Sequence, residues 1–554
     1  MKFKLAPRFA VSLSLVIALV VLPACEGRSG KGGEGPAQAS LAVEAAWDAD
    51  AAKTVNVGVT YAPSDINPLS PAGPVSAYVA GLLFPPLVEI DADLQYKPML
   101  ADSIETADNR TFKIRLNEAA KWTDGASVTA DDVIFTLKLM ANAMVASNYA
   151  YLFAIVEGLG PSGFLPDGES DISGVRKIDA HTVEMRTKVA TTLPVFEDTV
   201  GRNLRTLPRS AFKGVAPEDI DKSGFMRTPN VTSGPFKLER YEPDRFVGLI
   251  ANKDYFKGAP RLERLNFKVL PGSALADALE RGEIDMNIPS AGVIPVKDYA
   301  RIERLPNVST VGGQPLTTLY MYVNEKAVPD RKQRKAISHA IDRRKLVDKL
   351  LGGAGEIVDG YFSSVSPYRS AYAKPAAYNP ARARLLLKEA GWDGRKALAL
   401  SVPSGDDAIR EAAYSVADSL GKIGIQVSVE IVGRADLTDK LLKQDFDLSL
   451  LPLTMTPVNP LPDLAYLLGA GNPNGYKNER VNELLEAIGA EVDETKIKAL
   501  YGELQAILAE DVPMPALYAA KALGAVNERV IGATPKDLGM FINVQDWTVR
   551  GDEA

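Results

Sequence analysis

An α/β architecture built on more than one sheet is predicted by three features of the sequence. Between residues 111 and 116, Phe112, Ile114 and Leu116 alternate with Lys113 and Arg115, the period of a half-buried strand. Residues 398–402, 408–420 and 425–431 read as strand, helix and strand, a βαβ unit. Strand-like and helix-like segments keep alternating along the chain instead of segregating, which favours mixed layers.

The first elements concern export. Lys2, Lys4 and Arg8 precede an apolar run over residues 9–22, the length of a secretory signal and too short for a comfortable bilayer span. The run ends in Leu22-Pro23-Ala24-Cys25, which resembles a bacterial lipobox, and Cys25 is the single cysteine of the chain. Residues 1–24 are therefore expected to be a lipoprotein signal peptide, with lipid added to Cys25. Residues 25–53, rich in Gly and carrying Pro36, read as the lipidated start and a flexible tether. Multiple acyl chains hold a protein stably at a membrane where one would be marginal.

Order is expected from Thr54, where residues 54–59 alternate as a half-buried strand. Thr129 is placed as the cap of a helix whose first turn carries Asp131 and Asp132. Two adjacent acids there favour the positive helix end and need no catalytic role. Leu265, Phe267 and Val269 share one face of a strand, Ser273 is expected to cap the next helix, and Gly282 to end it. Ala336, Ile337, Ala340 and Ile341 make a helical core stripe. Asn379-Pro380 opens another helix, with proline at its favoured first position, and Gly391 closes it.

Composition narrows the function. The 554 residues are 46% hydrophobic and 24% charged, with a formal charge of −7, so no global basic field invites nucleic acid. The two histidines, His181 and His339, have no metal-ligand partner at i+4. Neither a GxSxG elbow nor a phosphate-cradling GxxxxGK[ST] loop occurs. No catalytic constellation, metal site or cofactor is expected, and the chain is read as a binding protein rather than an enzyme.

Several blocks, taken in order, resemble one family. They are Lys121-Trp122-Thr123-Asp124-Gly125 with Thr129-Ala130-Asp131-Asp132-Val133; Ser233-Gly234-Pro235-Phe236 with Asn252-Lys253-Asp254-Tyr255-Phe256; Leu319 to Asn324 with Arg334 to Arg343; Tyr378 to Ala383 with Ala390-Gly391-Trp392; and Asp511-Val512-Pro513-Met514-Pro515. Together they are similar to the extracellular solute-binding proteins of dipeptide, oligopeptide and nickel ABC importers. The resemblance implies a two-lobed periplasmic-binding-protein fold of the Venus-flytrap type, with an extra subdomain in the first lobe. Lobe I is expected over residues 54–313, with the subdomain at about 91–221. Lobe II should cover 314–519, and residues 520–554 return to lobe I. The expected partners are a small solute or peptide, an ABC permease with its ATPase, and a membrane reached through the lipid. The protein is expected to be an exported, periplasmic or cell-surface monomer.

The resemblance also supplies candidate ligand contacts. In peptide-binding members the segment equivalent to 450–460 carries a Trp, an acid that pairs with the peptide α-ammonium, and Asp-Pro. An ungapped alignment places Leu453, Thr456 and Asn459 at those positions, with Thr454 and Met455 between them. In that register the ligand is not expected to depend on a free α-ammonium; in the other, Asp463 supplies the acid. The opposite wall is expected from Tyr61 and the turn holding Ser70, Ala72, Gly73 and Pro74, with Tyr361 and Tyr368 as further lining. A peptide is the expected solute, with a sensing role or an oligosaccharide or opine-like ligand as alternatives.

Overall fold

The computed structural model describes residues 53–551 except 62, 64, 72, 244, 359, 371–373, 375, 405 and 470. The signal segment, Cys25, the tether and Ala72 lie outside the described residues.

Two large mixed sheets organise these residues. The first has seven strands in the order Val308–Gly312, Leu523–Asn527, Met286–Asn287, Thr54–Val59, Arg264–Val269, Phe246–Ala251 and Phe236–Glu242. Thr54–Val59 runs parallel to both of its neighbours in the middle of this sheet. That placement changes the sequence expectation: Val55, Val57 and Val59 are fully buried, but Thr54 and Gly58 are buried too, because a central strand is covered on both faces. The second sheet has six strands, in the order Gly355–Glu356, Ala516–Ala520, Thr317–Val323, Leu448–Thr454, Ala397–Pro403 and Gln426–Val432. Its last two strands pair in parallel across the helix Asp407–Gly421, which is the βαβ unit. A smaller antiparallel sheet joins Ala101–Thr106, Thr111–Leu116, Thr182–Arg186 and Val175–Lys177.

Local chemistry accounts for most helix ends. Thr129 and Asp132 form a reciprocal capping box at the helix Ala130–Met140, so the acid pair is structural. The Asn379 side chain accepts the backbone N–H of Arg382 at the start of Pro380–Glu389. Two expectations change. The helix Gly272–Arg281 begins after Pro271, which leaves Ser273 inside its first turn and not at the cap. The stripe through Ile341 breaks at that residue, whose ψ of 118° is extended; the Asp342 side chain then caps a separate helix, Arg343–Leu351.

The apolar core divides along the sheets. One cluster covers a face of the seven-stranded sheet and continues into the four-stranded sheet. Two others cover the opposite faces of the six-stranded sheet. The chain passes from the first large sheet to the second between Gly312 and Thr317, and back between Ala520 and Leu523. These two crossings lie side by side: the Gly313 amide donates to Ala522 O at 2.7 Å. A Cβ on Gly313 would sit 2.4 Å from that oxygen, so the close approach requires glycine.

The C-terminal return is held by an ion pair whose carboxylate is fully buried and whose guanidinium is partly exposed. Arg529 grips Asp285 with Nε–Oδ1 and Nη2–Oδ2 distances of 2.6 and 2.7 Å. The same carboxylate accepts the Asn56 amide at 2.8 Å, and Arg529 Nη2 also reaches Thr54 O. One carboxylate thus joins the first strand, the strand beside it and the last segment of the chain.

Candidate functional site

The strand Leu448–Thr454 carries the candidate segment to the edge of the six-stranded sheet nearest the crossings. Thr454 pairs with Thr317, their hydroxyls 2.7 Å apart, and the Met455 amide donates to Leu316 O. Leu453 and Met455 are half-buried against the apolar cluster beneath the six-stranded sheet, while Thr454 is exposed. Thr456 and Asn459 form the turn that follows, with Asn459 N donating to Thr456 O. Asp463 lies in the first turn of Leu461–Leu468, where the Thr456 backbone amide is near enough to favour its charged form. The six candidates Leu453, Thr454, Met455, Thr456, Asn459 and Asp463 are therefore gathered at one place.

Facing them is a second group, from residues packed on the first large sheet. Asn459 Nδ2 donates to Asp198 Oδ2 at 3.2 Å, a buried contact between residues 261 apart in sequence. Arg202 bridges Asp198 and Glu89, each at 3.0 Å. Tyr78 donates to Asp537 O at 2.6 Å, and Asp537 Oδ1 accepts the Ser290 amide. Tyr61 is half-exposed, and its hydroxyl is held protonated above its usual range by burial and by Asp537. The other expected wall residues lie close by in sequence. Ser70 Oγ accepts the Asn148 amide, and Gly73 takes φ 108° just before Pro74 opens the helix Pro74–Leu83.

The electrostatics of this junction are unbalanced. Burial, and then the neighbouring Asp198, push Asp463 up to about 7. Burial alone raises Glu197 to about 7. Asp198 is matched by Arg202, but among the described residues no cation pairs with Asp463. The exposed Tyr151 is shifted upward by burial and then by Asp463, which places the segment after Ser147 near the same carboxylate. A carboxylate of this kind lowers its energy when a cation is brought to it in a site shielded from water.

The last two expected residues are more deeply placed. Tyr361 is 3% exposed, stacked on Tyr320 inside the core beneath the six-stranded sheet. Tyr368 packs on Tyr501 with ring centroids 4.5 Å apart. The loop that carries them meets the turn after Thr456, where Ser366 Oγ donates to Pro457 O at 3.3 Å and accepts the Tyr368 amide. Conversely, Asp198, Arg202, Glu89, Tyr78 and Asp537 were not foreseen. They come from three distant stretches, and no local pattern marks them. Among the described residues no group of three or more His, Cys, Asp or Glu side chains is arranged to hold a metal ion. No described helix is long and apolar enough to cross a membrane.

The profile for "Bacterial extracellular solute-binding proteins, family 5 Middle" matches residues 95–475. The chain is 25% identical over 561 residues to the oligopeptide-binding protein AppA of Bacillus subtilis, covering 96% of this chain and 97% of that one. It is also 25% identical over 355 residues to the nickel-binding periplasmic protein of Escherichia coli, covering 63% and 62%. Among solved structures, AppA from Bacillus subtilis in complex with a nonapeptide superposes with a TM-score of 0.75 at 25% identity, over 90% of this chain and 98% of that one. NikA from Brucella suis in complex with Fe(III)-EDTA shares the fold, with a TM-score of 0.77 at 22% identity, over 90% and 100%.

Proposed function

The chain belongs to the family 5 bacterial extracellular solute-binding proteins, and on that basis we propose that it captures a peptide between two lobes and delivers it to an ABC permease. The reading rests chiefly on Asp463, a carboxylate at the junction of the two sheets with no cation beside it among the described residues. In this proposal lobe I is residues 54–313 with the return 520–554, and lobe II is 314–519. The paired crossings at Gly313 and Ala522 are the hinge. Binding excludes the peptide from water and lets both walls contact it, so the closed form is favoured by differential affinity, and no bond is made or broken.

Asp463 changes the expectation drawn from the ungapped alignment. Thr456 supplies only its backbone amide and hydroxyl, and a hydroxyl does not neutralise a buried ammonium. Asp463, seven residues on and near the Thr456 amide, takes the α-ammonium instead. Thr454, Met455, Thr456 and Asn459 line the approach from lobe II, and Tyr61 with the Ser70–Pro74 turn lines it from lobe I. The mature protein is anchored through Cys25 and carried on the tether of residues 26–53.

Mass spectrometry of full-length protein extracted from cell membranes tests both parts together. The intact mass is expected to begin at Cys25 with acyl chains attached, and denaturation is expected to release a peptide with a free amino terminus. An unacylated chain would remove the anchor from the account. Release of a sugar or a metal complex in place of a peptide would overturn the ligand assignment.

A further inference from the structure

Near the junction a cation is left as isolated as the Asp463 carboxylate. Arg205 follows the turn Glu197–Gly201, and its backbone pairs with Pro86 in an isolated bridge. The residue is 7% exposed. Among the described residues no acceptor lies within hydrogen-bond distance of its guanidinium, and no carboxylate lies within ion-pair distance. Nε is sealed, whereas Nη1 and Nη2, equally without acceptors, keep contact with solvent. An arginine has five N–H donors and stays charged, so a position this buried is costly until an anion fills it. Burial lowers its proton affinity, which Glu89 and Tyr149 only partly restore. Glu89 is already engaged, by Arg202 at 3.0 Å and by the Ile90 amide.

The guanidinium lies on the side of the first large sheet that meets the Thr456–Asp463 group. A Cβ on Gly81 would sit 4.0 Å from Arg205 Nε, which places the arginine against the helix Pro74–Leu83 at that residue. Pro74, Ala77, Tyr78 and Gly81, three and four apart, form the solvent-reaching face of this helix, while Val75, Ser76, Val79 and Ala80 are buried. That face starts at the Gly73–Pro74 turn and carries the Tyr78 hydroxyl to Asp537. Arg202, whose charge also acts on Arg205, is held by Asp198, the partner of Asn459. Small residues at 77 and 81 leave the guanidinium uncovered on this face.

We propose that Arg205 is the anion contact of the solute site, so that the captured peptide presents a carboxylate to Arg205 while its α-ammonium meets Asp463. The assignment rests on the peptide reading above and narrows it. Asp463 is not among the charges that act on Arg205, nor Arg205 among those that act on Asp463. The two contacts are therefore not adjacent, and a free amino acid, with both charges on one carbon, does not join them. An extended peptide of three or four residues, at about 3.3 Å per residue, does. Such a ligand holds one wall through Arg205 and the other through Asp463, which ties closure to a doubly charged ligand. A C-terminal carboxylate and the side chain of an Asp or Glu share this chemistry.

Calorimetry on the full chain with three probes tests the assignment: tetra-alanine as the free acid, tetra-alanine amide, and Ala-Ala-Glu-Ala amide. The wild-type chain is expected to bind at least one carboxylate-bearing peptide about 10- to 100-fold more tightly than tetra-alanine amide, as a charge-assisted hydrogen bond does. Preference for the free acid identifies the C-terminal carboxylate, and preference confined to the Glu peptide identifies the side chain. In Arg205→Met the three affinities should converge, and Arg205→Lys should keep part of the preference. Melting of the ligand-free chains separates binding from structure. Arg205→Met removes a buried charge without a partner, so its Tm is expected to match or exceed that of the wild type. A carboxylate preference that survives Arg205→Met, a Tm lowered by it, or equal wild-type affinities for the three peptides each overturns the proposal. If the wild type then still prefers tetra-alanine to its N-acetylated form, the Asp463 reading stands and only the Arg205 contact falls; binding of none of the probes removes both.

Discussion

Asp285→Ala is expected to destabilise the folded chain by about 3–5 kcal/mol, the range for removing one partner of a buried ion pair. Asp285 is fully buried and serves three elements at once. Its loss leaves Arg529 without the carboxylate that holds it at two points and strips the Asn56 amide of its acceptor. Arg529 is 30% exposed at its side chain, so water recovers part of the loss and the lower end of the range is favoured. The contrast is Arg281–Glu283, whose side chains are 57% and 53% exposed. Glu283→Ala is expected to cost under about 1 kcal/mol, as exposed pairs do. Urea unfolding of the two variants, followed at the first transition, measures the difference. Equal, small losses would mean that the C-terminal return is not held by Asp285.

Asp463→Asn is expected to weaken binding of a free-amine peptide by about 10- to 100-fold, the value of a charge-assisted hydrogen bond of roughly 1.5–3 kcal/mol. Binding of the matched N-acetylated peptide should hardly change. The sign of the pH effect follows from the titration. In the free protein Asp463 holds its proton up to about 7, and only the anion pairs with an ammonium. Affinity for the free-amine peptide should therefore rise from pH 5.5 to 7.5, while that for the acetylated peptide stays level. Calorimetry with both peptides at both pH values is the measurement. A preference for the free amine that survives Asp463→Asn would move the pairing to another acid, Asp198 or Glu197 first.

The two predictions differ in how far the sequence reveals their basis. Short-range chemistry was readable: Asn379-Pro380, the Thr129–Asp132 box and the 397–432 βαβ unit all depend on residues a few positions apart. Ser273 misled because a serine near a helix start is a cap only if its backbone lies outside the first turn. The break at Ile341 was hidden because apolar spacing continues through it while Asp342 starts a new helix. Asp285 with Arg529, and Asp198 with Asn459, are separated by 244 and 261 residues, and only the sheet order brings them together. Asp463 was visible as a carboxylate. Its isolation from any cation among the described residues was not, since that depends on Arg202 being committed to Asp198 and Glu89.

Closure of two lobes on a solute is the central claim, and small-angle scattering on the soluble body, cut before Thr54, tests it most directly. With the solute released by denaturation added back at saturation, the radius of gyration is expected to fall and the scattering to match a closed particle. Gly313→Val, which crowds the Ala522 carbonyl at the hinge, should blunt that change. The same radius of gyration with and without saturating solute would contradict a closing cleft.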